Sequence, residues 1–406
     1  MHLRPHQIRG LNAMQQHRIG QLTMPTGAGK TPTMFHDSMN QFETKDSQTI
    51  VVVAPRILLA EQLCSEFLEF ITNADVMHIH TGETHHFRTT KPDVIFKWWY
   101  HLKGHKLIFT TYHSLHRLVE SGIHVNTIYF DEAHNSVRKD FFPSVEHFSQ
   151  EADRCYYFTA TPKHSATISK PGMNDVDVYG NVICKVPAPE LVNGGFILPP
   201  KVVVRELPEA IHGNIAERDC NNLYATITEQ KINKVLICAS ATKHIVGLVS
   251  QSKFVQQMQD LDYSVMYITA KTGAVIDGEK VDREVFFKTL SAWGKDDSKK
   301  FVVLHHSILS EGINVSGLEG VIFMRNMDYI NFSQTIGRVI RLHHKDAQDL
   351  QDGKITPGDV QSYHKSFGLL VVPVFSQVGI HTAKKLQAVV DTIFEKGEPA
   401  ISVTKR

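Results

Sequence analysis

Met24-Pro25-Thr26-Gly27-Ala28-Gly29-Lys30-Thr31 sets two glycines, a lysine and a threonine in the spacing of a phosphate-cradling loop. Glycine has no Cβ, so the backbone N–H groups of Gly27, Ala28 and Gly29 can converge on phosphate oxygens. Lys30 would reach the outer phosphates of a nucleotide, and the Thr31 hydroxyl would face Mg²⁺. Met24 stands where the general pattern has its first glycine. Asp131-Glu132-Ala133-His134 comes later. There Asp131 is the second candidate for holding Mg²⁺, and Glu132 would polarise a water for in-line attack. Gln334, Arg338 and Arg341 follow in the second half. Acidic pairs cap many strands, and a glycine-rich turn can arise by chance. In this order, however, the three features point to ATP hydrolysis that drives movement.

These residues need a parallel sheet to hold them. Short apolar runs at Gln21–Met24, Ile50–Ala54, Leu107–Thr110, Ile128–Asp131 and Tyr156–Thr159 read as buried strands. Gly29–Asn40 and Leu58–Ile71 read as helices. Such βα alternation predicts a parallel sheet covered on both faces. The loop then lies between a strand and a helix, and Asp131 lies at the sheet's C-terminal edge, where open α/β folds bind ligands.

A second set begins after a stretch rich in Pro and Gly. Its strands are Val235–Ala239, Val265–Ile268, Phe301–His305 and Val321–Met324, with helices at Lys243–Leu261 and Val281–Trp293. The expected fold is α/β, with two parallel-sheet lobes at 1–190 and 201–345. An extended linker is expected at 191–200, where Pro199-Pro200 forbids helix continuation. A C-terminal extension at 346–406 carries a strand at Leu369–Phe375 and a helix at Ile380–Glu395.

The chain has 406 residues, 42% of them hydrophobic, which allows two sizeable cores. It has no apolar run long enough to span a membrane and no leader-like N-terminus, so a soluble, cytoplasmic protein without membrane contact is expected. The five cysteines show no Cys-x-x-Cys pair, which argues against a zinc ribbon or an iron–sulfur cluster. Cys155 and Cys238 sit in strand-like runs and read as core. Among the 24 histidines, the adjacent pairs His85-His86, His305-His306 and His343-His344 suit a shared metal poorly. Neighbours in a strand point to opposite faces. The net charge of +1 means that contacts to nucleic-acid phosphates would come from local patches.

Asp131–His134, Thr159-Ala160-Thr161-Pro162 and Gln334-x-x-Gly337-Arg338-x-x-Arg341 resemble motifs II, III and VI of superfamily 2 helicases. Arg4-Pro5-His6-Gln7 resembles their glutamine motif, Val53-Ala54-Pro55-Arg56 motif Ia, and Thr110–Leu115 motif Ib. Ser310-Glu311-Gly312-Ile313-Asn314-Val315 resembles motif V, with Asn314 in place of the usual aspartate. The segment Gly195-Phe196-Ile197-Leu198-Pro199-Pro200, after Tyr179-Gly180, is similar to the bridge in restriction-enzyme motors and phage UvsW-type branch-migration helicases. The resemblance spans about residues 1–345 and implies two RecA-like lobes in tandem.

It also implies roles. Gln7 would select adenine, and Pro25 through Thr31 would hold ATP. Lys30, Asp131, Glu132, Gln334, Arg338 and Arg341 would carry hydrolysis, the two arginines sharing one helical face as fingers from the second lobe. His134, Thr159, Thr161, Gly312 and Asn314 would couple hydrolysis to movement. Arg56, Thr111 and Ser310 would contact DNA phosphates, with Thr269 and Lys271 as weaker candidates. Branched or forked DNA is the expected partner and 3′-to-5′ the implied polarity. RNA remains an alternative, although Thr159 and Gln334 depart from the DEAD-group RNA helicases. An ATP-gated clamp with little turnover is a third reading, supported only by Asn314. The tail after Leu342 is too short for a nuclease domain with its own core, so cutting is expected to reside on another chain.

Phe96-Lys97-Trp98-Trp99-Tyr100 fits either a base-stacking platform or a surface helix whose aromatics pack inward. The segment 269–281 fits either a strand-separating hairpin or a plain surface connection.

Overall fold

The computed structural model describes residues 3–167, 169–206, 215–269, 271–306, 317–374 and 377–404. The chain divides into two compact units, Met1–Pro187 with Pro399–Arg406, and Ala188–Glu398. Each is a RecA-like α/β lobe.

The strands of the first unit are β1 (Ile19–Thr23), β2 (Thr49–Ala54), β3 (Ala74–Ile79), β4 (Phe87–Arg88), β5 (His105–Thr111), β6 (Thr127–Phe130), β7 (Arg154–Thr159), β8 (Lys163–Ser165) and β9 (Val182–Lys185). Eight of them form one sheet in the order β4-β3-β5-β2-β6-β7-β1-β9, and every pairing is parallel. Strand β2 shows why: Thr-Ile-Val-Val-Val-Ala is β-branched nearly throughout and buried at every position. A strand covered on both faces reads as a continuous apolar run. Helices α1 (Pro5–Gln16), α2 (Lys30–Thr44), α3 (Ile57–Leu68) and α4 (Pro92–His101) flank this sheet or open the chain.

A buried polar network fixes α2. The Arg154 guanidinium donates to both Asp37 oxygens at 2.8 and 2.9 Å, and the Tyr129 hydroxyl donates to Asp37 at 2.5 Å. Asp37 is 1% exposed. Helix α2 is thus tied to β6 and β7, the strands that lead into the acidic box and Thr159. Asp37→Ala strands Arg154 and Tyr129 and should cost about 3–5 kcal/mol, read as a lowered urea midpoint.

The second sheet is built from β10 (Pro200–Glu206), β11 (Lys234–Cys238), β12 (Tyr263–Thr269), β13 (Gly273–Ile276), β14 (Glu279–Val281), β15 (Lys300–His305), β16 (Gly320–Phe323) and β17 (Gly368–Val374). Its order is β10-β17-β16-β11-β15-β12-β13-β14. The first six are parallel, and β13 and β14 add an antiparallel meander at the edge. The segment 269–281 is therefore part of the sheet rather than a plain connection. The helix expected at Lys243–Leu261 is two, Thr242–Ser250 and Phe254–Gln259.

Two expectations of organisation change. The segment 191–200 is not an extended linker: Ala188–Asn193 is helical, and Leu191, Ile197 and Leu198 are fully buried. These three apolar side chains dock the segment, and the Leu198 N–H donates to the Ile340 carbonyl at 2.7 Å. Nor is 346–406 a separate extension. Strand β17 lies inside the second sheet between β10 and β16, because Leu370, Val371 and Val372 are apolar enough to be covered on both faces. Strand β18 (Ser402–Thr404) instead pairs with β8 in the first unit.

Candidate ATP site and nucleic-acid interface

The phosphate loop joins β1 to α2. Gly27 (φ 88°) and Gly29 (φ 84°) take the left-handed conformation, and Gly29 is the N-cap of α2. A Cβ on Gly29 would also collide with the Gln7 amide, so that position admits glycine on two counts. The N-terminus of α2 leaves its first N–H groups and the positive end of its dipole toward the loop, a ready anion site. Met24 is fully buried and its N–H donates to the Thr159 carbonyl at 2.9 Å. It extends the β1–β7 ladder, which explains why no glycine is needed there.

The start of α1 grips this loop from behind. Arg4 Nη1 donates to the Gly27 carbonyl at 3.1 Å, and His6 Nε2 lies 2.7 Å from the Ala28 carbonyl. Gln7 Nε2 donates to the Ala28 and Gly29 carbonyls at 3.3 and 3.2 Å, while its Oε1 accepts the Arg4 N–H at 2.8 Å. Both ends of the Gln7 amide are thus engaged within the protein. Gln7 props the loop backbone. The loop's carbonyls face α1, and the Ala28 N–H turns back to the Pro25 carbonyl at 3.1 Å. Arg4 and His6 belong to the segment that resembles the glutamine motif, and the fold shows what they touch: the carbonyls of Gly27 and Ala28.

The acidic box closes on Lys30. Lys30 Nζ is 2.6 Å from Glu132 Oε1 and 3.9 Å from Asp131 Oδ1. Burial works against the Lys30 charge, but the two carboxylates outweigh it and hold its pKa above the usual lysine value. Burial pushes Asp131 up to about 7 against the pull of Lys30. Glu132 sits at φ 45°, in the left-handed region that non-glycine residues seldom occupy. That turn follows the last residue of β6 and aims the carboxylate at the loop. The Tyr112 hydroxyl donates to the Asp131 carbonyl at 2.9 Å, and Asn135 Nδ2 donates to the Glu132 carbonyl at 3.0 Å.

From Glu132 a polar chain runs to β7. His134 Nδ1 lies 3.5 Å from Glu132 Oε2, 3.2 Å from Thr159 Oγ1 and 3.3 Å from Thr161 Oγ1. The Thr161 N–H also donates to Thr159 Oγ1 at 3.1 Å. Lys30, Asp131, Glu132, His134, Thr159 and Thr161 are thus brought together. Thr31 lies half-buried in the first turn of α2. Its hydroxyl group and the Asp131 carboxyl suit a hard cation such as Mg²⁺, which takes oxygen ligands.

In the second unit, Gln334 and Arg338 lie on the helix Tyr329–Val339, and both are buried. The helix is capped by Asp328, whose Oδ1 accepts the Asn331 N–H at 2.7 Å. Arg338 is close enough to His305 and Cys238, the last residues of β15 and β11, to influence both electrostatically. It therefore sits at the C-terminal edge of its sheet. Arg341 lies beyond the helix, which ends at Val339, so the expected i, i+3 face is not formed. The cause is Lys365, whose Nζ donates to the carbonyls of Leu318, Val339 and Arg341 at 2.6, 2.5 and 3.1 Å. It satisfies the terminal carbonyls that a further turn would have used.

The nucleic-acid candidates are placed unevenly. Arg56 is exposed at the N-cap of α3. Thr111 is buried, and its Oγ1 lies 3.4 Å from Ser114 Oγ, which suits it to shaping the loop after β5 more than to touching phosphate. Thr269 is also buried, whereas Lys271 is exposed. Ser310, Gly312 and Asn314 lie outside the described residues. In α4, Trp98 and Trp99 are half-buried, and Trp99 Nε1 donates to Thr49 Oγ1 at 2.8 Å. Phe96 and Tyr100 are exposed and stack on each other at 5.9 Å. The aromatic run is thus a surface helix with only half its rings turned inward. No described helix is long and apolar enough to cross a membrane.

Residues 1–164 match the family model of the res subunit of type III restriction enzymes. The whole chain is similar to the ATP-dependent Type ISP restriction-modification enzyme LlaBIII bound to DNA. The TM-score is 0.73 at 16% identity, over 99% of this chain and 31% of that one. The fold is of the helicase type. A nuclease-deletion mutant of the Type ISP enzyme LlaGI, in complex with a DNA substrate mimic, matches with a TM-score of 0.67 at 18% identity, over 99% of this chain and 30% of that one. The E. coli DExH-box NTPase HrpB shares the helicase fold at a TM-score of 0.55 and 14% identity, over 95% of this chain and 43% of that one. The chain thus spans less than half the length of each of these proteins. No curated protein matches the sequence.

Proposed function

We propose that the chain is a nucleic-acid-dependent ATPase that converts ATP hydrolysis into movement along DNA. The observation that carries this reading is the 2.6 Å contact of Lys30 with Glu132. It sets the phosphate-binding lysine and the water-polarising carboxylate on one site. At this distance the two charges neutralise each other. A γ-phosphate would draw Lys30 away and release Glu132 to orient a water. ATP with Mg²⁺ would supply the phosphoryl group and neutralise its charge. His134, Thr159 and Thr161 would then report the state of Glu132 to β7. Gln334, Arg338 and Arg341 would answer the charge that develops on the phosphoryl group. Arg56 would hold a backbone phosphate, which positions the strand without reading sequence.

DNA is favoured over RNA because the family model and two of the structural matches belong to restriction enzymes, both of those structures with DNA or its mimic. The same observation supports a second reading, that the motor serves a restriction system and not a repair or recombination pathway. ATPase rates with single-stranded, linear duplex, forked and four-way-junction DNA and with RNA, compared side by side, test both. Branched-DNA preference supports remodelling, equal response to linear duplex supports translocation, and a response to RNA alone contradicts the proposal.

Arg341→Ala should leave ATP affinity within about threefold while slowing hydrolysis by about 100-fold or more. The paired measurement is binding of a fluorescent ATP analogue and steady-state turnover. Equal losses in both would mean that Arg341 only supports the fold.

A further inference from the structure

At the far edge of the first sheet, away from the phosphate loop, three metal-ligating atoms converge. His78 lies in β3 and His80 follows it, two residues apart and so on one side of the chain. Glu61 comes from α3. Glu61 Oε1 is 3.3 Å from His78 Nδ1 and 3.1 Å from His80 Nε2, and the two nitrogens are 3.0 Å apart. His78 and His80 are 0% and 2% exposed. A tetrahedral zinc ion with ligands at about 2.0–2.1 Å has ligand-to-ligand edges of about 3.3 Å. The triangle is therefore close to one face of such a tetrahedron without any rearrangement.

Hydrogen bonding alone accounts for this cluster poorly. Each neutral imidazole carries one N–H. If both turn inward, two hydrogens face each other across 3.0 Å. If only one does, its N–H goes to the other nitrogen at 3.0 Å and the carboxylate oxygen is left without a donor. Glu61 Oε1 has no hydrogen-bond partner, nor does His78 Nε2 on the outer side of its ring. A cation at the centre satisfies all three contacts at once. Cys64, one turn along α3 from Glu61, and His86 form a second possible set that shares His78.

We infer that Glu61, His78 and His80 form a binding site for one zinc-like divalent cation, with the fourth position left to a water molecule. Two imidazoles and a carboxylate favour a first-row ion of the zinc type over Mg²⁺. The site clips the end of β3 to α3, the helix capped by Arg56. It also braces the residues after Ile79, whose carbonyl accepts from Thr110 Oγ1 at 3.0 Å. The Arg88 charge nearby opposes a cation, but its guanidinium is occupied by the carbonyls of Thr81 and Gly82. The exposed group Asp297, His343 and His344 is a weaker candidate. Lys345 Nζ already occupies Asp297 at 2.6 Å.

The full chain, stripped with a chelator and free of nucleotide, is titrated with Co²⁺ and followed by visible absorption and thermal melting. About one equivalent should bind, with intense d–d bands, a raised Tm, and displacement by Zn²⁺. Glu61→Gln and His80→Ala should each weaken binding about 100-fold or more. His344→Ala and Asp131→Asn should leave it unchanged, which separates this site from the surface group and from the nucleotide site. Glu61 is partly exposed, so its variant remains informative if His80→Ala fails to fold. A folded chain that takes up no Co²⁺, or uptake unchanged in Glu61→Gln, overturns the inference.

Discussion

Lys30→Ala should reduce ATP hydrolysis by about 100-fold or more, because it removes the cation that would meet the charge developing on the transferred phosphate. The variant also leaves Asp131 and Glu132 side by side in a buried pocket. A buried pair broken on one side commonly costs about 3–5 kcal/mol. Here the cost should be smaller, since Asp131, already held near pH 7 by burial, can take up a proton in place of the lost cation. A modest fall in Tm is therefore expected, and turnover must be normalised to the folded fraction seen by circular dichroism. Near-normal turnover per folded molecule would contradict the assignment of Lys30 to phosphate.

Glu132→Gln should act differently. The amide keeps the shape and can still accept a hydrogen bond from Lys30, but it cannot take a proton from water. Hydrolysis should fall by about 10²–10⁴-fold, with ATP binding retained or tightened. Loss of the Glu132 charge frees Lys30 from its 2.6 Å contact, so the lysine no longer has to leave a carboxylate to reach phosphate. The measurement is single-turnover hydrolysis beside equilibrium binding of a nucleotide analogue. If binding and hydrolysis fall together, Glu132 holds the pocket's shape and does not polarise water.

Much of this site was legible in the sequence because its parts are local. The phosphate loop needs contiguous glycines followed by lysine, and the acidic box needs to end an apolar run. Both are patterns along the chain, and the strands expected around them lie within a residue or two of those observed. What escaped depends on segments distant in sequence. Arg4 and His6 stand in the segment that resembles the glutamine motif, but what they touch shows only when α1 packs behind the loop. The helix at Tyr329–Val339 has the right pattern to carry Arg341, yet Lys365, well downstream, ends it early. Strand β3 was missed because Ala-Asp-Val-Met-His-Ile is only half covered at its start and alternates weakly. Without β3 in the pattern, nothing in the sequence sets His78 and His80 on one face. The tail misled for a related reason: β17 looks like the strand of an appendage, whereas a parallel sheet can accept a late strand in its middle.

The most direct test of the motor reading is the steady-state ATPase rate of the wild-type chain and of Glu132→Gln, each with and without saturating DNA. Wild-type turnover should rise at least about tenfold on adding DNA, in line with a coupling free energy of order 1.4 kcal/mol or more, and the variant should stay flat. A wild-type rate that DNA leaves no higher than that of Glu132→Gln would contradict it.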